Sequence, residues 1–234
     1  MALLARRADR LLARAAELGS GALADAGVRV AILARRGDRL TARAAELGPS
    51  ALAIPCDVTD EGAVTRAVAR AREAFGDVPD ILVNNAGIFA PGHLADLSSA
   101  TFREVIAVNL IGPFTLLRAV LPRMLERKSG HCVTIGSTAD RYTYPGNSAY
   151  GTAKTGARAM HEVLRKEVHG TGVRVTLVSP ASVATDIWKG VDERVARPPS
   201  QADMLAADDV ARAVLYAVTQ PPSVNVDELR LSRS

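Results

Sequence analysis

The run His131-Cys-Val-Thr-Ile135, a helical pattern from about Tyr150 to His169, and the run Val173-Arg-Val-Thr-Leu-Val178 read together as strand, helix, strand. Both strands are apolar on both sides, as a sheet covered on each face requires, and crossover helices between parallel strands supply that cover. The alternation continues outward. Toward the amino terminus lie a helix from about Ser99 to Glu126, the strand Ile81-Leu-Val83, a helix from about Thr59 to Phe75, and the strand Ala51 to Pro55. Before them come a helix over Asp38 to Leu47, ended by Gly48, and the strand Val28-Arg-Val-Ala-Ile-Leu33. Toward the carboxyl terminus lie a helix from Ala207 to Val218 and the strand Glu228-Leu-Arg-Leu231. The pattern predicts an α/β fold: a doubly wound parallel sheet with helices on both faces, in three layers.

The chain has 234 residues, of which 48% are hydrophobic and 23% charged, so it suits one α/β domain over residues 1–234 and neither disorder nor collagen-like repetition. No stretch approaches eighteen uncharged apolar residues, so no membrane span is expected. The net charge of +4 is spread among interspersed acids and bases, which argues against a nucleic-acid partner. Cys56 and Cys132 stand far apart without a CxxC pair, and His93, His131, His161 and His169 form no HExxH pattern. Neither a disulfide scaffold nor a metal site is expected, and a reducing, cytoplasmic compartment fits. The Arg-rich start, Met1 to Arg14, lacks the apolar core of a signal peptide and carries Asp9.

That start is explained better by a duplication. Leu4 to Gly19 recurs as Leu33 to Gly48, an offset of 29 residues with fourteen of sixteen positions identical. There is no third copy, so a solenoid is excluded. The first copy should be another strand-to-helix piece, with a short strand over Ala2 to Ala5 that lacks β-branched residues. The polar, Pro-containing stretch from about Gly190 to Ala202 interrupts the alternation, and reads either as a lid over a site or as a surface loop.

Tyr150-Gly-Thr-Ala-Lys154 carries the clearest chemistry. At i, i+4 on a helix the phenol and ammonium share a face, and a nearby cation is expected to lower the phenol pKa toward the working range for proton exchange with an alcohol or carbonyl oxygen. Chance produces this spacing too, so its neighbours matter. Ser137 follows the strand ending at Ile135, where a hydroxyl can meet a substrate, although a serine there often only caps a turn. Asn84-Asn-Ala-Gly87 follows the strand Ile81 to Val83 and by itself reads as a tight turn. Asn109, inside an apolar helix, needs hydrogen-bond partners.

Together these segments resemble the short-chain dehydrogenase/reductase family over roughly Val28 to Ser234. The resemblance rests on Asp57-Val58, Asn84-Asn-Ala-Gly87, Asn109, Ser137, Tyr150-x-x-x-Lys154 and Pro180-Ala-Ser-Val-Ala-Thr185. It implies a Rossmann-like domain, a nicotinamide cofactor, a small alcohol or carbonyl substrate and a homodimer or homotetramer. It also implies that Tyr150 is the acid/base, that Lys154 holds the cofactor ribose and tunes Tyr150, that Ser137 binds the reacting oxygen and that Asn109 anchors a relay water. Asp57 and Val58 would flank the adenine, and Asn84, Ala86 and Gly87 would line the cofactor. Thr185 would reach the carboxamide, with Val183 among the cofactor contacts. The strand Val28 to Leu33 runs into Ala34-Arg35-Arg36 with no acid to hold a ribose 2′-hydroxyl, whereas Arg35 suits a 2′-phosphate, so NADP is expected over NAD. The tail Asp208 to Glu228 is similar to a subgroup acting on small polar hydroxy acids and related aldehydes.

The pattern fails at the amino terminus. Family members carry a Thr-Gly-x-x-x-Gly-x-Gly turn after the first strand, whose amides cradle the pyrophosphate at a helix N-terminus. Here the duplicated block stands in that place. Gly19-Ser-Gly-Ala-Leu-Ala24 matches G-x-G-x-x-A as text, yet it follows a charged helical stretch instead of a strand. Losing two or three charge-assisted amide contacts of about 1.5 to 3 kcal/mol each would remove roughly 3 to 9 kcal/mol of cofactor affinity. Three readings follow: an altered amino terminus on an ordinary enzyme, a variant in which Arg6 or Arg7 binds the phosphates, or a catalytically silent relative serving as a binding or scaffold subunit. Ala181, where a glycine is commoner, is a second departure, and its methyl is expected to crowd the nicotinamide pocket.

Overall fold

The computed structural model describes residues 2–6, 28–192, 195–196 and 199–234. Among these, seven strands form one sheet: β1 (Ala2–Arg6), β2 (Arg29–Ala34), β3 (Ala51–Pro55), β4 (Ile81–Asn84), β5 (Gly130–Ile135), β6 (Val173–Pro180) and β7 (Glu228–Leu231). Their spatial order is β3-β2-β1-β4-β5-β6-β7. The helices are α1 (Gly37–Leu47), α2 (Glu61–Phe75), α3 (Ser99–Glu126), α4 (Ser148–Glu167) and α5 (Ala207–Val218). Each expected element from the second strand onward is present, with ends displaced by a residue or two.

The pairs β2–β3, β4–β5, β5–β6 and β6–β7 are parallel. The exception is β1, which runs antiparallel to both neighbours, with Ala2 opposite Leu33, Arg6 opposite Arg29, and Leu3 opposite Val83. The expected doubly wound parallel sheet is present, and the antiparallel strand is the one contributed by the duplicated segment. A short apolar run offers the same ladder groups to a neighbour of either sense, and nothing in Ala-Leu-Leu-Ala encodes direction.

The consequence concerns the phosphates. The backbone of Arg6 lies beside the first residue of β2, at the edge of the sheet opposite to the one where β4, β5 and β6 end. The backbone of Arg6 therefore does not stand where a phosphate-binding turn belongs. Arg7, Gly19 to Ala24 and the helix expected for the first repeat copy lie outside the described residues.

The sheet is covered on both faces. On one side Val64, Val68 and Phe75 of α2 meet Leu116, Leu117 and Val120 of α3 and Leu164 of α4. On the other, Leu40 and Ala44 of α1 and Val214, Leu215 and Val218 of α5 lie over Val30, Ile32 and Val83. By length and composition α3 passes for a membrane-crossing helix. Its Val105, Leu116, Leu117, Val120 and Met124 are instead buried within the protein, each worth about 1.5 to 3 kcal/mol when removed from water.

Helix ends follow local chemistry. Asp60 caps α2, its Oδ1 accepting from the Ala63 N–H at 3.0 Å, and Gly76 closes it in the left-handed region at φ 82°. Ser98 caps α3 by accepting from the Thr101 N–H at 3.0 Å. Inside α3, Ala107–Ile111 widens into a π turn, with the Gly112 N–H bonded to the carbonyl of Ala107. Such turns are often found at functional sites.

Candidate active site

The loops leaving β4, β5 and β6 emerge at one edge of the sheet, and α4 begins beside them. A cavity of about 830 Å³ opens there, and Gly87, Asn109, Ser137, Tyr150, Lys154, Val183 and Thr185 all line it. Site residues from five separate segments of the sequence are thus brought together.

Ser137 ends the extended backbone after β5 and caps the short 3-10 turn Thr138–Asp140, accepting from the Ala139 N–H at 3.1 Å. Its hydroxyl also acts on the Tyr150 phenol, favouring the phenolate, and both groups line the same cavity. One turn further along α4, Lys154 is buried, donates from Nζ to the carbonyl of Ile135 at 2.8 Å, and sits 5.6 Å from the centre of the Tyr150 ring. That carbonyl, at the end of β5, fixes the ammonium against the sheet.

The electrostatics differ from the expectation. The Tyr150 phenol is pushed up from its ordinary value, chiefly by burial, with the Ser137 hydroxyl opposing and the Asp140 charge adding to the rise. Burial also brings Lys154 down to about 8, with Asp140 opposing.

Asn109 sits within the π turn and is buried. Its amide nitrogen donates to the carbonyls of Ile88 and Val105, both at 2.9 Å, while its Oδ1 has no partner among the described residues. A Cβ on Gly87 would come within 2.9 Å of that oxygen, so glycine keeps the approach open. An orphaned acceptor at a cavity wall calls for a water or ligand donor. Asn84, at the end of β4, is buried with both side-chain polar atoms likewise unpartnered.

The remaining expected cofactor contacts stand apart from the cavity. Arg35 is exposed just beyond β2, within electrostatic range of Asp57 beyond β3. Asp57 itself is held by Thr59, accepting from its N–H at 2.9 Å and its hydroxyl at 2.7 Å. Val58 is buried under α3, where a Cβ on Gly112 would fall 2.8 Å from its Cγ2, and Ala86 packs against the same core cluster. Ala181 lines the cavity, its N–H tied to the carbonyl of Leu231 at 2.8 Å.

Three contributors were missed. Phe89 packs edge-on against Tyr150, with ring centres 5.1 Å apart, and against Trp188 at 5.2 Å. Trp188 is pinned by its indole N–H to the carbonyl of Val183 at 2.9 Å. The lone tryptophan of the chain was the available signal. Asp140, buried beside Ser137, had none. Of the stretch from Gly190 to Ala202, Val195, Ala196 and Pro199 form part of the cavity wall.

Fold and site together define an α/β oxidoreductase. The chain belongs to the short chain dehydrogenase family, whose family model matches residues 18–196. It is 35% identical over 183 residues to the NADP-dependent 3-hydroxy acid dehydrogenase of Salmonella typhi, covering 75% of this chain and 73% of that one. The serine dehydrogenase structure from Escherichia coli superimposes with a TM-score of 0.78 at 31% identity, over 95% of this chain and 90% of that one. An alcohol dehydrogenase from the archaeon Thermococcus sibiricus, complexed with 5-hydroxy-NADP, gives 0.79 at 30% identity, over 97% and 92%.

Proposed function

We propose that the protein interconverts an alcohol and its ketone or aldehyde with NADP, on a small polar substrate of the hydroxy-acid kind. The observation that carries the reading is the convergence of Ser137, Tyr150 and a buried Lys154 on one cavity. The hydroxy acid dehydrogenase relative and the NADP-type ligand of the archaeal neighbour support the substrate and cofactor.

The nicotinamide half of the cofactor fits the residues present: the unpartnered Asn109 Oδ1, the Gly87 approach and the cavity wall of Val183 and Thr185 accommodate it. Bound NADP supplies or accepts the hydride, and the protein has to orient the partners and manage one proton. Ser137 holds the substrate oxygen and Tyr150 exchanges the proton with it. Burial favours the protonated phenol, the form that donates to a carbonyl in reduction, and the phenolate takes the proton back in oxidation. Lys154 holds the ribose, and Asn109 Oδ1 accepts from a water that passes the proton on. Val183 and Thr185 take the carboxamide end, while Asn84, Ala86 and Gly87 line the dinucleotide. Asp57 and Val58 border the adenine, and Arg35 pairs with the 2′-phosphate. Phe89 and Trp188 face the carbon skeleton of the substrate.

A homodimer or homotetramer belongs to this reading, supported by the exposed Ile111 and Phe114 on α3. The free, buried Cys56 and Cys132 support a reducing, cytoplasmic setting.

One observation favours the second reading, a silent relative that binds cofactor poorly: the carboxyl end of β1 lies at the edge away from the site. Titration of the purified protein with NADPH, followed by fluorescence, separates the two. Saturable binding below millimolar concentration is expected, and its absence at millimolar NADPH leaves only the silent relative.

A further inference from the structure

Beneath the Ser137–Tyr150–Lys154 group lies a charged residue that the reaction scheme does not use. The Asp140 side chain is fully buried. One carboxylate oxygen accepts from the Ser179 hydroxyl of β6 at 3.0 Å, and the other pairs with Arg141 at 3.1 Å. Arg141 in turn grips Glu228 of β7 through two bonds of 2.8 Å each. The backbone carbonyl of Asp140 accepts from the Thr155 hydroxyl at 3.2 Å, and Thr155 adjoins Lys154 on α4. A Cβ on Gly136 would meet Ser179 Oγ at 2.8 Å and Asp140 Oδ2 at 3.4 Å, so the glycine before Ser137 leaves the room that this contact occupies.

An isolated buried carboxylate is costly, and a partner with one side open to solvent, as Arg141 is, neutralises it only in part. Lys154 poses the complementary problem, since its hydrogen bond goes to a neutral carbonyl. We propose that Asp140 is a positioning residue for the reaction, which ties α4 to β6 and β7 and sets the charge state of the Tyr150–Lys154 pair. The charged and titratable groups facing it are Tyr150 and Lys154 from α4, its neighbour Arg141, and Glu228 of β7 through Arg141. Its field favours the ammonium of Lys154 and disfavours the phenolate of Tyr150, which agrees with the directions found for both. An ammonium that can hold a ribose and a phenol that can donate its proton are the two states that reduction needs. The inference rests on the function proposed above.

The test reads Lys154 directly. The protein has four lysines, and a ¹³Cε-lysine NMR titration, with the Lys154 resonance assigned by Lys154→Arg, gives its midpoint without cofactor or substrate. The wild-type midpoint is expected near 8. Asp140→Asn should lower it by on the order of one pH unit. Arg141→Gln, at a partly exposed position, should move it the opposite way, because it uncovers the charge of Asp140. An unmoved midpoint in a folded Asp140→Asn protein overturns the proposal. If that variant does not fold, an unmoved or lowered midpoint in Arg141→Gln does so. Either failure leaves the proposed reaction standing, whereas full activity in Tyr150→Phe removes the reaction and leaves this titration intact.

Discussion

The two halves of the sheet differ in how completely they form a site. From β4 to β7 every strand runs parallel, the carboxyl ends coincide, and Ser137, Tyr150 and Lys154 meet there with their partners in place. In the half made by β3, β2 and β1, the outer pair is parallel but β1 is reversed, and its carboxyl end faces the wrong edge. Proton chemistry can be assembled from one strand end and one helix face, because its groups act over a few ångströms. A pyrophosphate cradle needs a strand, a turn and a helix N-terminus in the right sense, and among the described residues β1 runs in the opposite sense.

The largest test restores the weaker half. Replacing residues 1–27 with a parallel strand, a Gly-x-x-x-Gly-x-Gly turn and a helix should tighten NADPH binding about a hundredfold or more, given two or three charge-assisted bonds of about 1.5 to 3 kcal/mol. Equal affinity before and after would show that the difference between the halves has no bearing on the cofactor. In the complete half, Tyr150→Phe should cut the turnover of NADPH with 3-oxo acids or aldehydes by about 10² to 10⁴, with cofactor affinity nearly unchanged. Retained turnover removes Tyr150 from the chemistry.

A smaller effect sharpens the contrast from the other side. Arg35→Ala should weaken NADPH about tenfold and NADH hardly at all, by paired titrations. If both weaken alike, Arg35 does not read the 2′-phosphate. The smallest effect concerns stability. His131 of β5 is buried, bonded through Nε2 to the Thr176 hydroxyl at 2.7 Å, and burial brings its pKa down from 6.5 to about 3. Between those values the unfolded chain binds the proton and the folded one does not. Its contribution is therefore full above pH 6.5 and is lost as pH falls toward 3. Thermal melts from pH 7 to 4 should show a shallower acid decline in His131→Leu than in the wild type. Parallel curves would mean that another group sets the acid limit.

Legibility followed the range of each interaction. Ser137, Tyr150 and Lys154 were readable because a strand end and an i, i+4 spacing fix their relation locally. α3 was readable as one helix, while its π turn was not, since the turn accompanies Asn109 bonding across to Ile88 as well as to Val105. Phe89 and Trp188 meet only after β4 and β6 are laid side by side with β5 between them. The effect of Lys154 on Tyr150 was misjudged because helix spacing gives proximity but not burial, and burial dominates both groups.

Apolar periodicity and a few local spacings were enough to determine the alternating elements, the two covered faces and the candidate hydroxyls of Ser137 and Tyr150, because each depends on neighbours within a turn or a strand. Only the tertiary structure decided the direction of β1, the aromatic wall and the placement of Asp140 under α4. Those depend on which surfaces meet across the sheet, and an apolar strand or a lone carboxylate reads the same whichever partner it finds.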